Sequence, residues 1–450
     1  MKINLREKFV ARKIKKPNAF LSSVVFFFLD RISKKKKVEY HYGYDVNSLK
    51  NKPSVLLATH ASRLEFVYAI NGFKEKNINV VCGYQNVMQK YVYGLLKRLG
   101  VIAKFLYQPD FSCTKSMFSV LKRGGNLALF PEGIQSVSGS THPINPATSK
   151  FLKRSGATIV LCKSQGAYLC RNRFSDDEKN GKIDMFYDVL FTPEDLRTMS
   201  EEEIYKKLLD KFKYNEFKQN KHRREKYVGK RSNADGLNNI IYKCPNCGKE
   251  FSFKIEKSAM TCLDCGYSVG VDEYYDLTVL SPHKLYYDNI DDWFKWQRAC
   301  VKKDVAGDFL PLEATGRLYK LRTDKLLKHP ANKILLCEGT VTLDKQGLHL
   351  FGKGFPDEDT AIRRPTDKSA FIEKRYDFDA REVYSMTFSL AGFWEFYYEN
   401  EYYVVYPDIP VNQLVKWTVY SEEIHNLYDK KWDEASSDVY DEVPRTTMIN

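Results

Sequence analysis

No stretch of this chain stays apolar for the roughly 20 residues a membrane-spanning helix needs. The longest candidate, Ala19-Phe-Leu-Ser-Ser-Val-Val-Phe-Phe-Phe-Leu29, stops well short of that length. The basic region before it is long and no small-residue cleavage site follows, so a secretory signal fits poorly. There is no internal repeat and no low-complexity tract, which sets aside a repeat array. A disulfide framework is also missing. Of ten cysteines, six (82, 113, 162, 170, 300 and 337) are scattered, as suits a reducing cytosol.

What the chain does have is length, aromatics and positive charge. With 450 residues, 43% hydrophobic and 14% aromatic, it is a globular chain of more than one domain. The net charge of +14 is unevenly placed: residues 1–37 hold twelve Lys or Arg against Glu7 and Asp30. Such an arm seeks an anionic surface, lipid or nucleic acid. The apolar run inside it reads as an interfacial helix, with an apolar wedge at the headgroup boundary and Lys34–Lys37 on acidic lipid. A helix packed on the protein's own core is the plainer alternative.

From residue 38 to about 220, strand-like and helix-like stretches alternate. Val38–Tyr44 reads as an edge strand. Further strands are expected at 53–59, 79–82, 101–107, 126–130 and 158–162, with helices at 62–73, 87–99, 114–123, 147–155 and 200–218. The alternation predicts a mostly parallel sheet flanked by helices.

Two segments carry chemistry. Ala58-Thr-His60-Ala-Ser-Arg63-Leu-Glu65 follows one expected strand, and Leu129-Phe130-Pro131-Glu132-Gly133 follows another. Open α/β sheets place their sites just past strand ends. His60 and Glu65 cannot meet on one continuous helix, where five residues turn about 500°. They can meet if His60 sits in the turn and Glu65 in the first helical turn. Ser62-Arg-Leu-Glu65 also has the form of a capping box, which alone would give Glu65 a purely structural job. Pro131 fixes a backbone angle, and Gly133 allows close approach or positive φ.

Together these segments resemble the glycerolipid (lysophospholipid) acyltransferase family, whose first block is His, four residues, then Asp, and whose third reads Phe-Pro-Glu-Gly. The resemblance covers roughly residues 40–215. It implies acyl transfer from acyl-CoA or acyl-carrier protein to a hydroxyl, with His60 as general base and Glu65, in place of the family's Asp, orienting the imidazole. It also implies that Phe130, Pro131, Glu132 and Gly133 shape the acceptor site, with Glu132 near the acceptor's polar groups. Two departures bear on the acceptor. Gln108 and Gln135 stand where the family often has phosphate-binding arginines, and glutamine cannot replace a bidentate cation. Arg63, Lys104, Lys115 and Lys163 are the candidate replacements, Arg63 and Lys163 foremost.

Cys244-Pro-Asn-Cys247 and Cys262-Leu-Asp-Cys265 are two C-x2-C knuckles, each followed by glycine. This spacing points to a zinc ribbon: four thiolates around a structural zinc, with no open position for water. Two disulfides are the alternative. The expected organisation is therefore a basic membrane-surface segment (1–37), an α/β acyltransferase domain (38–220), a basic linker (221–241), a zinc ribbon (242–270) and a smaller β-rich C-terminal domain (275–450) of unread role. That last domain shows strand-like runs at 334–342, 347–352 and 400–406 and a helix near Ser421–Lys431.

Three functions compete on this reading. The first is an O-acyltransferase at the cytoplasmic face of a membrane, peripheral or monotopic. Its partners are anionic lipid and an acyl donor, with no nucleic acid expected. The second is a transferase for a lipid acceptor without phosphate. The third is a non-enzymatic zinc-ribbon protein that binds nucleic acid or acts as a scaffold.

Overall fold

The computed structural model describes residues 5–50, 52–75, 77–308, 310–326 and 333–429. The first residues of the basic arm, and Lys430 and Lys431 of the expected last helix, lie outside the described residues.

The first sheet contains β1 (Val38–Tyr42), β2 (Ser54–Ala58), β3 (Ile78–Gly83), β4 (Ile102–Lys104), β5 (Asn126–Leu129), β6 (Thr158–Gln165) and β7 (Ile183–Phe191). Their spatial order is β1-β7-β6-β2-β5-β3-β4. β1 is an edge strand, as its alternating sequence predicts. β2 lies at the centre, parallel to both β5 and β6. It is buried along its whole length, which explains its unbroken apolar character: helices cover both faces. The antiparallel pairing is β6 with β7.

Helix Phe111–Lys122 starts where Asp110 accepts the Cys113 N–H at 2.8 Å. Helix Ala147–Ser155 stops at Gly156. Three helix expectations need correction. The helix expected from Ser62 begins at Glu65, and the complete capping box at Ser62 does not form. The 87–99 stretch is two helices, Tyr84–Val87 and Lys90–Arg98. The 200–218 stretch is also two, Glu201–Phe212 and Glu216–Arg223. Asn215 breaks it by accepting the Lys218 N–H at 2.9 Å, which starts a new helix.

The 221–241 segment is built into the core rather than strung between domains. Tyr227, Leu237, Ile240 and Ile241 are fully buried. The buried Lys179 ammonium donates to Asp177 at 2.7 Å and to the Arg231 and Ser232 carbonyls at 2.6 and 3.0 Å.

The cysteine knuckles sit beside a small antiparallel sheet of β8 (Phe253–Glu256), β9 (Ala259–Cys262), β10 (Ser268–Val271) and β11 (Leu277–Val279). The buried helix Ile290–Ala306 grips its base. Gln297 accepts the Tyr242 and Lys243 N–H groups at 2.7 and 2.8 Å, and Trp293 donates to the Lys243 carbonyl at 3.1 Å.

The C-terminal sheet is antiparallel. It comprises β12 (Leu312–Leu321), β13 (Lys333–Asp344), β14 (Gly347–Gly354), β15 (Ile372–Asp379), β16 (Thr387–Ser389), β17 (Phe393–Tyr398) and β18 (Glu401–Pro407), in the order β15-β14-β13-β12-β18-β17-β16. Helix Leu414–Asn426 packs across it, buried at every position but Lys416. Two buried ion pairs join this helix to Ile290–Ala306: Arg298 to Glu422 at 2.5 Å and to Glu423 at 2.6 Å.

Candidate active site

Because β2 and β5 are parallel neighbours, their C-terminal ends lie side by side. The chain leaving β2 carries Thr59, His60, Ala61 and Ser62; the chain leaving β5 carries Phe130 to Gly133. The two segments are tied through carboxylates. Glu132 accepts the His60 N–H at 3.0 Å and the His142 N–H at 2.9 Å, and the Tyr214 hydroxyl reaches it at 3.4 Å. The His60 carbonyl accepts the Ser136 N–H at 3.0 Å. On the other side, Glu65 accepts the N–H groups of Ala61 and, at 3.2 Å, Ser62. It also accepts the hydroxyls of Thr59 at 2.5 Å and Ser164 at 2.6 Å. Both carboxylates are fully buried. The turn that carries His60 is thus clamped from two sides.

This geometry corrects two expectations. No hydrogen bond joins Glu65 to the His60 ring, and Nδ1 of that ring is buried without a hydrogen-bond partner among the described residues. Glu65 holds the main chain beside His60 instead. Likewise, the Glu132 carboxyl group turns inward to backbone N–H groups, away from the space that the His60 ring lines. Phe130, Pro131 and Gly133 do line that space. The His60 and Phe130 rings lie 5.2 Å apart. Gly133 adopts φ +77°, and a side chain there would press on the Tyr107 ring, whose hydroxyl donates to the Glu132 carbonyl at 2.8 Å.

The space is a cleft of about 1760 Å³. Its apolar side includes Val25, Phe26 and Leu29 of helix Ala19–Lys35, together with Val80, Leu96 and Met117. Its polar side holds His60, Arg63, Lys104, Gln108, Gln135 and Arg173. Tyr384, Phe388 and Glu395 of the C-terminal domain form another part of its wall.

Burial pushes the His60 imidazole down to about 4, and the charges of Arg173 and His142 act in the same direction. Burial pushes Glu65 up to about 7 against the pull of its four hydrogen-bond donors. Burial also lifts Glu132, to about 8, opposed by the His142 and His60 N–H groups. At neutral pH the histidine is therefore uncharged.

Of the other expected substrate ligands, Arg63 is exposed at the cleft, and Lys104 lines it while donating to the Phe105 and Gln108 carbonyls at 3.4 and 3.5 Å. Lys163 is a correction: it is not among the residues lining the cleft, and its ammonium donates to the Lys213 carbonyl at 2.8 Å. Strand alternation explains this, since Ser164 faces Glu65 and its neighbour must face the other way. Lys115 is exposed outside the cleft. Gln108 spends its amide on the Glu382 carbonyl at 3.0 Å. Arg173, Thr59 and Ser164 escaped the sequence reading, because no local motif marks them.

The four knuckle cysteines converge. Sulfurs of Cys244 and Cys265 lie 3.7 Å apart, and those of Cys247 and Cys262 lie 3.8 Å apart. Four thiolates around zinc at about 2.3 Å would place sulfurs about 3.8 Å from one another, so the donor set fits that ion. The knuckles repeat one pattern: Gly248 N–H to the Cys244 carbonyl and Gly266 N–H to the Cys262 carbonyl, each at 2.9 Å. None of the four cysteines lines the cleft.

No protein-family model matches this chain. No curated protein matches its sequence. Among solved structures it is similar to the 1-acyl-sn-glycerophosphate (LPA) acyltransferase PlsC from Thermotoga maritima, with a TM-score of 0.36 and 16% identity over 42% of this chain and 76% of that one. A likeness of this size says nothing of activity; the chemistry has to come from the site itself.

Proposed function

We propose that the chain is a membrane-surface O-acyltransferase. It would pass an acyl group from acyl-CoA or acyl-carrier protein to the hydroxyl of a lysophospholipid-like acceptor. One observation carries the reading: His60 lines a large cleft and stands on a turn clamped by the side chains of two buried glutamates. Such a base is positioned before substrate arrives.

With Nδ1 buried, Nε2 is the ring nitrogen left for a substrate proton. The acceptor hydroxyl attacks the thioester carbonyl while His60 takes its proton. The new C–O bond forms, the C–S bond breaks, and the proton passes to the departing thiolate. No enzyme nucleophile is required. Glu65 and Glu132 act by holding the His60 turn. The apolar wall of the cleft suits the acyl chain.

The membrane part of the reading rests on helix Ala19–Lys35. No helix among the described residues is long and apolar enough to cross a membrane. This helix packs one side on the protein, with Ser22 and Ser33 buried and Phe26 and Leu29 against the core. Its other side exposes Phe20, Val24, Phe27, Phe28 and Ile32. Phe66, Tyr91, Leu95 and Phe111 add to the exposed apolar surface, and Phe66 and Phe111 line the cleft. Lys34 to Lys37 follow for anionic headgroups. The four cysteines would hold a structural zinc.

A phosphate-free lipid acceptor remains the second reading, favoured by the engagement of Gln108 with Glu382. The experiment is direct: purified protein, labelled acyl-CoA or acyl-carrier protein, and a panel of lyso-lipids and neutral lipid alcohols. Transfer to at least one lyso-lipid is expected. No transfer from any donor to any acceptor would refute the proposal.

A further inference from the structure

We propose that Arg63 and Arg173 form a phosphate-binding subsite beside His60, aimed by the C-terminal domain. This rests on the acyltransferase reading for its place in the reaction, though not for the binding itself.

The two arginines come from separate parts of the chain. Arg63 lies on the clamped turn, three positions after His60. Arg173 lies in the loop after helix Ala167–Cys170, where the Asn172 side chain organises the backbone by accepting the Phe174 and Ser175 N–H groups at 3.2 and 2.9 Å. Both line the cleft with His60. Arg173 is held by β16: one guanidinium nitrogen donates to the Phe388 carbonyl at 2.6 Å, and the group lies 5.1 Å from the Phe388 ring centre. A residue 215 positions away in sequence thus aims the cation.

Among the described residues, neither guanidinium has a carboxylate within 4.0 Å. Glu395 and Glu422 are the acids whose charges act on Arg173, and both are already engaged, Glu395 by the Tyr402 hydroxyl and Glu422 by Arg298 and the Ser385 hydroxyl. Burial pushes the Arg173 guanidinium down, Glu395 resists this, and the charge of Arg63 adds to it. The half-buried Arg173 guanidinium, without a bonded acid, is poorly compensated, and Arg63 adds an exposed cation at the same cleft. A phosphate group supplies several charged acceptors at once and matches the planar fork of each arginine.

The phosphate could belong to the acceptor lipid or to the coenzyme part of the donor. Kinetics with paired substrates separates them. The acceptors are a short-chain lysophosphatidate and the matching monoacylglycerol; the donors are an acyl-CoA and the same acyl group on N-acetylcysteamine. Arg63→Gln and Arg173→Gln should each raise KM about 10- to 100-fold for the phosphate-bearing substrate, with little change in kcat. A rise confined to lysophosphatidate assigns the acceptor; a rise confined to acyl-CoA assigns the donor. Arg173→Lys should recover part of the loss, since it keeps the charge and loses the fork. No rise, or an equal rise for the phosphate-free pair, overturns the subsite. Among the described residues the Arg63 guanidinium makes no hydrogen bond or ion pair, so its variant decides the matter if Arg173→Gln disturbs the docking of β16. A second readout needs no turnover: broadening of the phosphorus resonance of inorganic phosphate by wild type, diminished in both variants. If wild type transfers nothing yet shows that pattern, the acyltransferase reading falls and the subsite stands. Equal broadening by wild type and both variants removes the subsite whatever the activity.

Discussion

The Glu132 carboxylate accepts the backbone N–H of His60 at 3.0 Å, across 72 positions of sequence. Glu65 takes the next two N–H groups along the same turn. The carboxylates therefore fix the main chain under the histidine and leave its ring to the cleft.

Removing Glu132 should cost stability and activity together. In Glu132→Ala the N–H groups of His60 and His142 lose their buried acceptor. The expected loss is about 1–3 kcal/mol in urea unfolding, accompanied by a fall in kcat/KM. A variant as stable as wild type would show that the clamp contributes nothing.

Glu65→Gln should behave similarly for a different reason. The amide keeps one oxygen for the Thr59 and Ser164 hydroxyls but turns an NH2 toward the Ala61 and Ser62 donors. Lower unfolding stability and lost activity are expected, while Glu65→Asp retains part of the activity. An inactive Glu65→Gln with undiminished stability would point back to a direct bond between carboxylate and imidazole.

The pH dependence follows from the shifts. His60 is lowered to about 4, so its contribution to stability is complete above 6.5 and is lost as pH falls toward 4. Glu65 and Glu132 are raised to about 7 and 8, so theirs is complete below 4.5 and is lost as pH rises through those values. Unfolding midpoints should decline on both sides, and Glu132→Gln should flatten the alkaline decline. For catalysis, the acid limb of kcat/KM should lie well below the usual histidine range. An acid limb near 6.5 would contradict the burial of His60.

The cysteine cluster should carry one zinc. Zinc on four thiolates is folding free energy for so small a module, on the order of 10 kcal/mol in model peptides. Cys262→Ser should lose the metal and loosen the packing of Trp293 and Gln297 against residues 242 and 243. Metal-free wild type by elemental analysis would remove the assignment. A folded but inactive Cys262→Ser would give the metal a chemical role.

Vesicle sedimentation tests the exposed helix face. Phe27→Ser with Phe28→Ser should weaken binding to acidic vesicles, and added salt should weaken wild type through Lys34–Lys37. Unchanged sedimentation of the double variant would show that this face is not the membrane contact.

The parts of the fold written in local signals were readable. The apolar run of β2, the alternation of β1, the turn at Gly133 and the spacing of the four cysteines each depend on neighbours in sequence. What depended on distant partners was not. Glu65 meets Ser164 from β6, 99 positions on, so the sequence offered the ring of His60 as its nearest plausible target. Arg173, a cleft residue, is held by the Phe388 carbonyl 215 positions away, a contact that no local pattern announces. Lys163 misled because a strand position says nothing of which face meets the cleft until the register is known.

The central claim is that His60 is the base. The decisive measurement is kcat/KM of His60→Ala, made beside its unfolding midpoint. Among the described residues the His60 ring makes no hydrogen bond through its buried Nδ1, so its removal strands no partner there. Acyl transfer should fall by about 10²–10⁴-fold or to background, with the fold retained. Transfer near the wild-type rate by a folded His60→Ala protein would contradict the account.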